Sequence, residues 1–132
     1  GRIKSIVKDM NTITKNLHDR GGKILLGTDC NNPFIVPGFS VHDELYYLVE
    51  AGLTPYEAIK AGTYNAAEFL NILDEAGTVE ANKNADLSLL DGNPLEDVTN
   101  MKKIEGVMIM GYWISKSEID NMLNSRLEEF GR

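Results

Sequence analysis

Asp29 follows the apolar run within "KILLGTDCNN", Lys23 to Asn32, and is the residue whose type and place best suit chemistry. The short apolar run before it is bounded by Gly21-Gly22 and by Asn31-Asn32-Pro33. It reads as a central strand buried on both faces, the pattern of a parallel sheet. Ligands and catalytic groups gather at the carboxyl ends of such strands. A carboxylate at that end can face a site, or it can simply cap the next turn. Cys30 adjoins it, but a thiol nucleophile wants a basic partner and none is identifiable, so the expected role is that of a small filler. His42 in the first turn of one predicted helix and His18 near the end of another are expected to be surface residues rather than ligands.

The elements that must position Asp29 follow from spacing. Ile3, Ile6, Val7, Met10, Ile13 and Leu17 recur at helical intervals, and Gly21-Gly22 supply a stop. Ser40 with Asp43 looks like a capped start for "VHDELYYLVEAG". Thr54, Pro55 and Glu57 form a clearer capping box, with proline in the first helical position, opening a helix expected to run to about Leu70. Beyond Asn71 the period shifts to strand-like pieces, "GTVE", "ADLSLLD" and "IEGVMIMGYWIS", both longer ones with consecutive apolar residues that imply cover on both faces. Ser115 and Glu118 cap a last helix. The chain thus divides near Leu73 into an α/β part, 1–73, and a smaller β part with a terminal helix, 74–132. One buried parallel strand needs neighbours on both edges, and no other such strand precedes Leu73.

Composition narrows the classes. A chain of 132 residues with 42% apolar residues suits one soluble unit with a sizeable core. The formal charge of −7, without any Lys/Arg run, argues against nucleic acid or an anionic membrane surface as partner. A single cysteine excludes an internal disulfide and points to a reducing compartment. No apolar stretch approaches the roughly 20 residues of a membrane span, and "GRIKSIVKDM" lacks a signal peptide's apolar block. The expected location is the cytoplasm.

Four blocks in this order, "ILLGTD", "HDELYYLVEAGLTPYEAIKAGTYNAAEFL", "GTVEANKNADLSLLDGNPLEDV" and "VMIMGYWIS", resemble the C-terminal part of the metal-dependent amidohydrolase superfamily, especially its imidazolonepropionase- and prolidase-like members. The resemblance covers nearly all of residues 23 to 115. It implies an α/β fold, the C-terminal fragment of a (β/α)8 TIM-type barrel, followed by part of a small β-sandwich domain and the terminal helix. Residues 1–29 would be the seventh helix and eighth strand. Asp29 then matches the strand-eight carboxylate that binds a divalent metal, with zinc the expected ion, and exchanges a proton with water. Asn31, Asn32 and Phe34 fall in the loop after that strand, where substrate contact is expected.

The resemblance is incomplete, because the strands that carry the family's other ligands are missing and neither His18 nor His42 matches one. A closed metal site within this chain is not expected. The leading reading is part of a C–N hydrolase for amide, cyclic amide or dipeptide-like small molecules, inactive as the isolated chain. The alternative is a non-catalytic assembly module derived from such a barrel, with partners either further copies or the missing N-terminal part. A third reading, phosphoryl transfer at Asp29, lacks the further carboxylates and basic group it would need. Asp86 is expected to serve a turn or cross-strand hydrogen bond, and Tyr46, Tyr47 and Trp113 to belong to the core.

Overall fold

The structure, a computed structural model, describes residues 2–30 and 32–130. Asn31 lies outside them. The amphipathic N-terminal pattern forms α1 (Arg2–Asp19). It ends where Gly22 donates its N–H to the Leu17 carbonyl and Gly21 adopts a φ of 81°, a left-handed stop that glycine makes at little strain. The next helix, α2 (Ser40–Glu50), starts differently from the expected Ser40–Asp43 cap. Phe39 occupies the cap position in a helical conformation with no side-chain bond. Ser40 instead accepts the Val36 N–H on Oγ at 2.9 Å, because the chain already turns helically from Val36 onward.

Thr54 caps α3 (Pro55–Gly62) as its sequence foretells. Its hydroxyl accepts the Glu57 N–H at 3.2 Å, and Glu57 returns a carboxylate oxygen to the Thr54 N–H at 2.8 Å. The expected single helix to Leu70 is interrupted at Thr63 (φ −122°, ψ −90°), whose hydroxyl donates back to the Ile59 carbonyl, and α4 (Tyr64–Phe69) resumes after it. Such back-bonding by threonine competes with the helical ladder.

The segment between α1 and α2 departs most from expectation. Residues 23–29 form no helix and pair with no strand. Helical atoms take over: Leu26 N–H donates to the Ala61 carbonyl at 3.2 Å, and Asn65 Nδ2 donates to the Ile24 carbonyl at 3.0 Å. A ladder needs a neighbouring strand, and none of the described residues before Leu73 is one. Burial on both faces is likewise not found, since Leu25 is 38% exposed while Ile24 and Leu26 pack on the helical core. That core is Leu45, Leu48, Leu53, Ala58 and Ala61, joined by Val98 from a short 3-10 helix at Val98–Lys102.

Downstream, β1 (Leu87–Leu90), β2 (Ile104–Ile109) and β3 (Tyr112–Ser115) form one antiparallel sheet in the order β1-β2-β3. Leu87 stands opposite Met108, and Gly106 opposite Ser115. "IEGVMIMGYWIS", read as one strand-like piece, is a hairpin, turning at Met110 (φ 50°) and Gly111 (φ 81°). Two consecutive positive φ values are what a two-residue hairpin turn requires. "GTVE" forms no strand. Cover on both sheet faces is also not found: α5 (Lys116–Phe130) packs on β2 and β3, yet Leu89 remains 57% exposed and Ile109 51%. Trp113 is not core but 48% exposed, and the Tyr46 and Tyr47 side chains are exposed, their rings meeting edge to face at 5.6 Å. Among the described residues no helix is long and apolar enough to cross a membrane.

Candidate active site

Asp29 stands near the end of the irregular segment between α1 and α2, exposed, with a φ of 51°. A left-handed conformation is uncommon for a non-glycine residue and is best tolerated by Asp and Asn. Here it is held from both sides. Ahead of it, the Gly27 N–H donates to Glu44 Oε1 of α2 at 2.9 Å. Behind it, Asn32 Nδ2 donates to Asp29 Oδ2 at 2.5 Å and to the Asp29 carbonyl at 3.1 Å. Thr28 Oγ1 and Cys30 Sγ lie 2.8 Å apart, so the thiol is engaged by a hydroxyl and has no base beside it.

The expected substrate contacts divide. Asn32 is brought to Asp29 and hydrogen-bonds it. Phe34 is fully exposed, with a φ of 70°. Asn31 lies outside the described residues. Glu44 was not foreseen, although a signal was available: it lies four residues before Leu48 and one before Leu45, a carboxylate on the apolar stripe of α2. Its Oε2 is buried without a hydrogen-bond partner, as is His42 Nδ1 one half-turn earlier. Burial holds the His42 imidazole below the ordinary histidine range, the Lys102 ammonium adds to this, and Asp43 opposes it.

The other titratable groups serve the scaffold. His18 Nε2 sits 3.0 Å from Glu57 Oε1, tying the end of α1 to the start of α3. Glu57 is lowered to about 2, first by the Thr54 backbone N–H, then by the Thr54 hydroxyl and by His18. The motif from Gly77 to Asp86 also proves structural. A Cβ on Gly77 (φ 92°) would meet the Ala67 Cβ at 2.6 Å, so only glycine fits against α4. Lys83 binds Glu80 at 2.8 Å and the Thr78 hydroxyl donates to Glu80 Oε2 at 3.0 Å, which together hold Glu80 below the usual carboxylate range. Asp86 Oδ1 accepts the Met110 N–H at 2.6 Å, fixing the hairpin turn as a cross-strand hydrogen bond.

A divalent metal asks for three or more protein donors in a catalytic site. Among the described residues no group of three His, Cys, Asp or Glu is placed to hold one. Asp29 is a single donor, and the described residues do not by themselves fit a closed metal site.

Comparison with known proteins gives the geometry its context. The amidohydrolase family profile matches residues 3–114. Imidazolonepropionase of Agrobacterium fabrum (strain C58 / ATCC 33970) is 40% identical over 80 residues, 57% of this chain and 18% of that protein. Ochratoxinase of Aspergillus niger is 42% identical over 82 residues, 59% of this chain and 16% of that protein. Among solved structures, a Xaa-Pro dipeptidase with methionine in its active site superposes at a TM-score of 0.71 and 30% identity, covering 80% of this chain and 25% of that one. Bottromycin amidohydrolase superposes at a TM-score of 0.81 and 29% identity, covering 96% of this chain and 27% of that one. The chain therefore spans between a sixth and about a quarter of the length of these relatives. With the family profile running over most of its length, the chain belongs to the amidohydrolase family.

Proposed function

We propose that this chain supplies the C-terminal part of a metal-dependent hydrolase acting on C–N bonds of amide, cyclic amide or dipeptide-like small molecules. Residues 1–73 contribute the last helix–strand–helix units of a (β/α)8 barrel, and 74–132 the C-terminal share of a small β-sandwich domain with its terminal helix. The observation that carries this reading is Asp29: a carboxylate closing the apolar segment whose backbone is anchored on α2, α3 and α4, in a chain matched to the family over residues 3–114.

Since the described residues offer one donor, the remaining metal ligands belong to polypeptide outside residues 1–132, and zinc is the ion we expect there. A bound divalent ion would make water acidic enough to attack near neutral pH. Beside such water Asp29 would be the carboxylate able to take the proton as a carbonyl is attacked and to return it to the departing nitrogen. Asn32 keeps the Asp29 side chain in one orientation meanwhile. Two of the relatives, an imidazolonepropionase and a Xaa-Pro dipeptidase, suggest the substrates to try first.

The test is Asp29→Asn in the whole protein that carries this chain. We expect kcat to fall by roughly three orders of magnitude or more with the fold intact, because an amide cannot accept the proton. Near-normal turnover would sink the assignment.

A further inference from the structure

We propose that Glu44 is a positioning residue for Asp29, acting through the Gly27 amide; this rests on the reading of Asp29 given above. Gly27 is the anchored amide nearest to Asp29 on its N-terminal side, two residues away, and the group that anchors it is Glu44 Oε1 at 2.9 Å. In a strand that amide would find a carbonyl on a neighbouring strand. Among the described residues its acceptor is a side chain from the first turns of α2. Asp29 sits in a left-handed conformation, which persists only where its surroundings determine it from both sides. Asn32 provides the C-terminal restraint and Glu44 the N-terminal one.

The placement of Glu44 is otherwise hard to account for. A glutamate used only for solubility would stand on the outer face of α2, as Glu50 does. Glu44 lies instead on the stripe with Leu45 and Leu48, half-buried, with Oε2 shielded from water and without a hydrogen-bond partner. A carboxylate left half-satisfied against the core lowers stability. Its one satisfied oxygen is directed at the backbone that aims Asp29.

Three variants in the whole protein, assayed on Xaa-Pro dipeptides and cyclic amides, test the proposal alongside amide exchange. Glu44→Ala is expected to lower kcat about tenfold or more with KM within about twofold, since misaiming a catalytic group impairs turnover more than binding. Glu44→Gln retains an oxygen for the Gly27 N–H and is expected to recover kcat to within about threefold of the parent. Gly27 amide exchange should quicken about tenfold in Glu44→Ala while that of Ala58 in α3 stays unchanged. Should Glu44→Ala fail to fold, Glu44→Met decides in its place, filling the space while accepting little from an amide. Parental kcat in the Ala or Met variant, equal impairment of Gln and Ala, or unchanged exchange at Gly27 would each overturn the role. Turnover that survives Asp29→Asn would overturn the reading beneath it, and is told apart because Glu44 then has no catalytic carboxylate to aim.

Discussion

At the scale of single residues, the sequence shows chemistry wherever type and position suffice. Asp29 could be singled out as a candidate because a carboxylate closing an apolar run stands where such strands carry ligands or cap the next turn. Glu44 could not, because its role depends on a hydrogen bond across 17 residues to a backbone amide that lacks a ladder partner. Patterns of side chains do not reveal which amides go unpaired. His42 illustrates a second limit: its helix position is readable, its burial is not. Because burial lowers its folded pKa below the unfolded value of about 6.5, the neutral form is favoured in the fold. The stability it contributes is therefore full above about pH 6.5 and declines as pH falls toward the lower folded value. We expect His42→Phe to flatten the change in denaturant midpoint between about pH 7 and pH 5. An unaltered slope would mean that another group titrates there.

At the scale of elements, legibility follows the range of the interactions. The Thr54–Glu57 capping box closes within three residues, and the sequence announces it. Thr54→Ala should cost about 1 kcal/mol in thermal or urea unfolding. Glu57, whose folded pKa of about 2 lies below its unfolded value, contributes stability that is present above about pH 4.3 and lost as pH falls toward 2. Glu57→Gln should remove that part of the acid limb, and a limb of unchanged steepness would count against it. The 23–29 segment is the converse case. Its pattern states a strand, but a strand is a relation between segments, and the described chain holds no partner. The hairpin was hidden for a third reason: Met110 takes a φ of 50° where Asn or Gly would have advertised a turn. Gly106 lies under the Trp113 ring, where a Cβ would come within 2.2 Å of a ring carbon. Gly106→Ala should destabilise the sheet by about 1–3 kcal/mol, seen as accelerated exchange at Leu87 to Leu90. Unchanged protection there would show that Trp113 moves aside freely.

At the scale of the whole molecule, α1 has a bare apolar face. Met10 is 61% exposed, Ile13 59% and Leu17 53%, at helical spacing along one side of α1. Tyr112 on the edge strand β3 is 78% exposed. Monomeric proteins seldom leave such contiguous apolar surface and unpaired strand edges to water. Each large side chain of this kind gains about 1.5–3 kcal/mol on full burial, so a few of them together exceed the entropy lost when two chains associate weakly. The isolated 132-residue chain is therefore expected to associate with itself as its concentration rises, and, with one donor at Asp29, to bind no Zn²⁺ at one ion per chain. Sedimentation velocity across concentrations tests the first expectation and metal titration the second. Replacing Met10 and Ile13 together by Glu should shift the population toward monomer if α1 is the face that joins. A chain that stays monodisperse at high concentration, or that takes up one zinc with micromolar affinity, would mean that residues 1–132 complete by themselves a surface or a site that the family builds from several times this length.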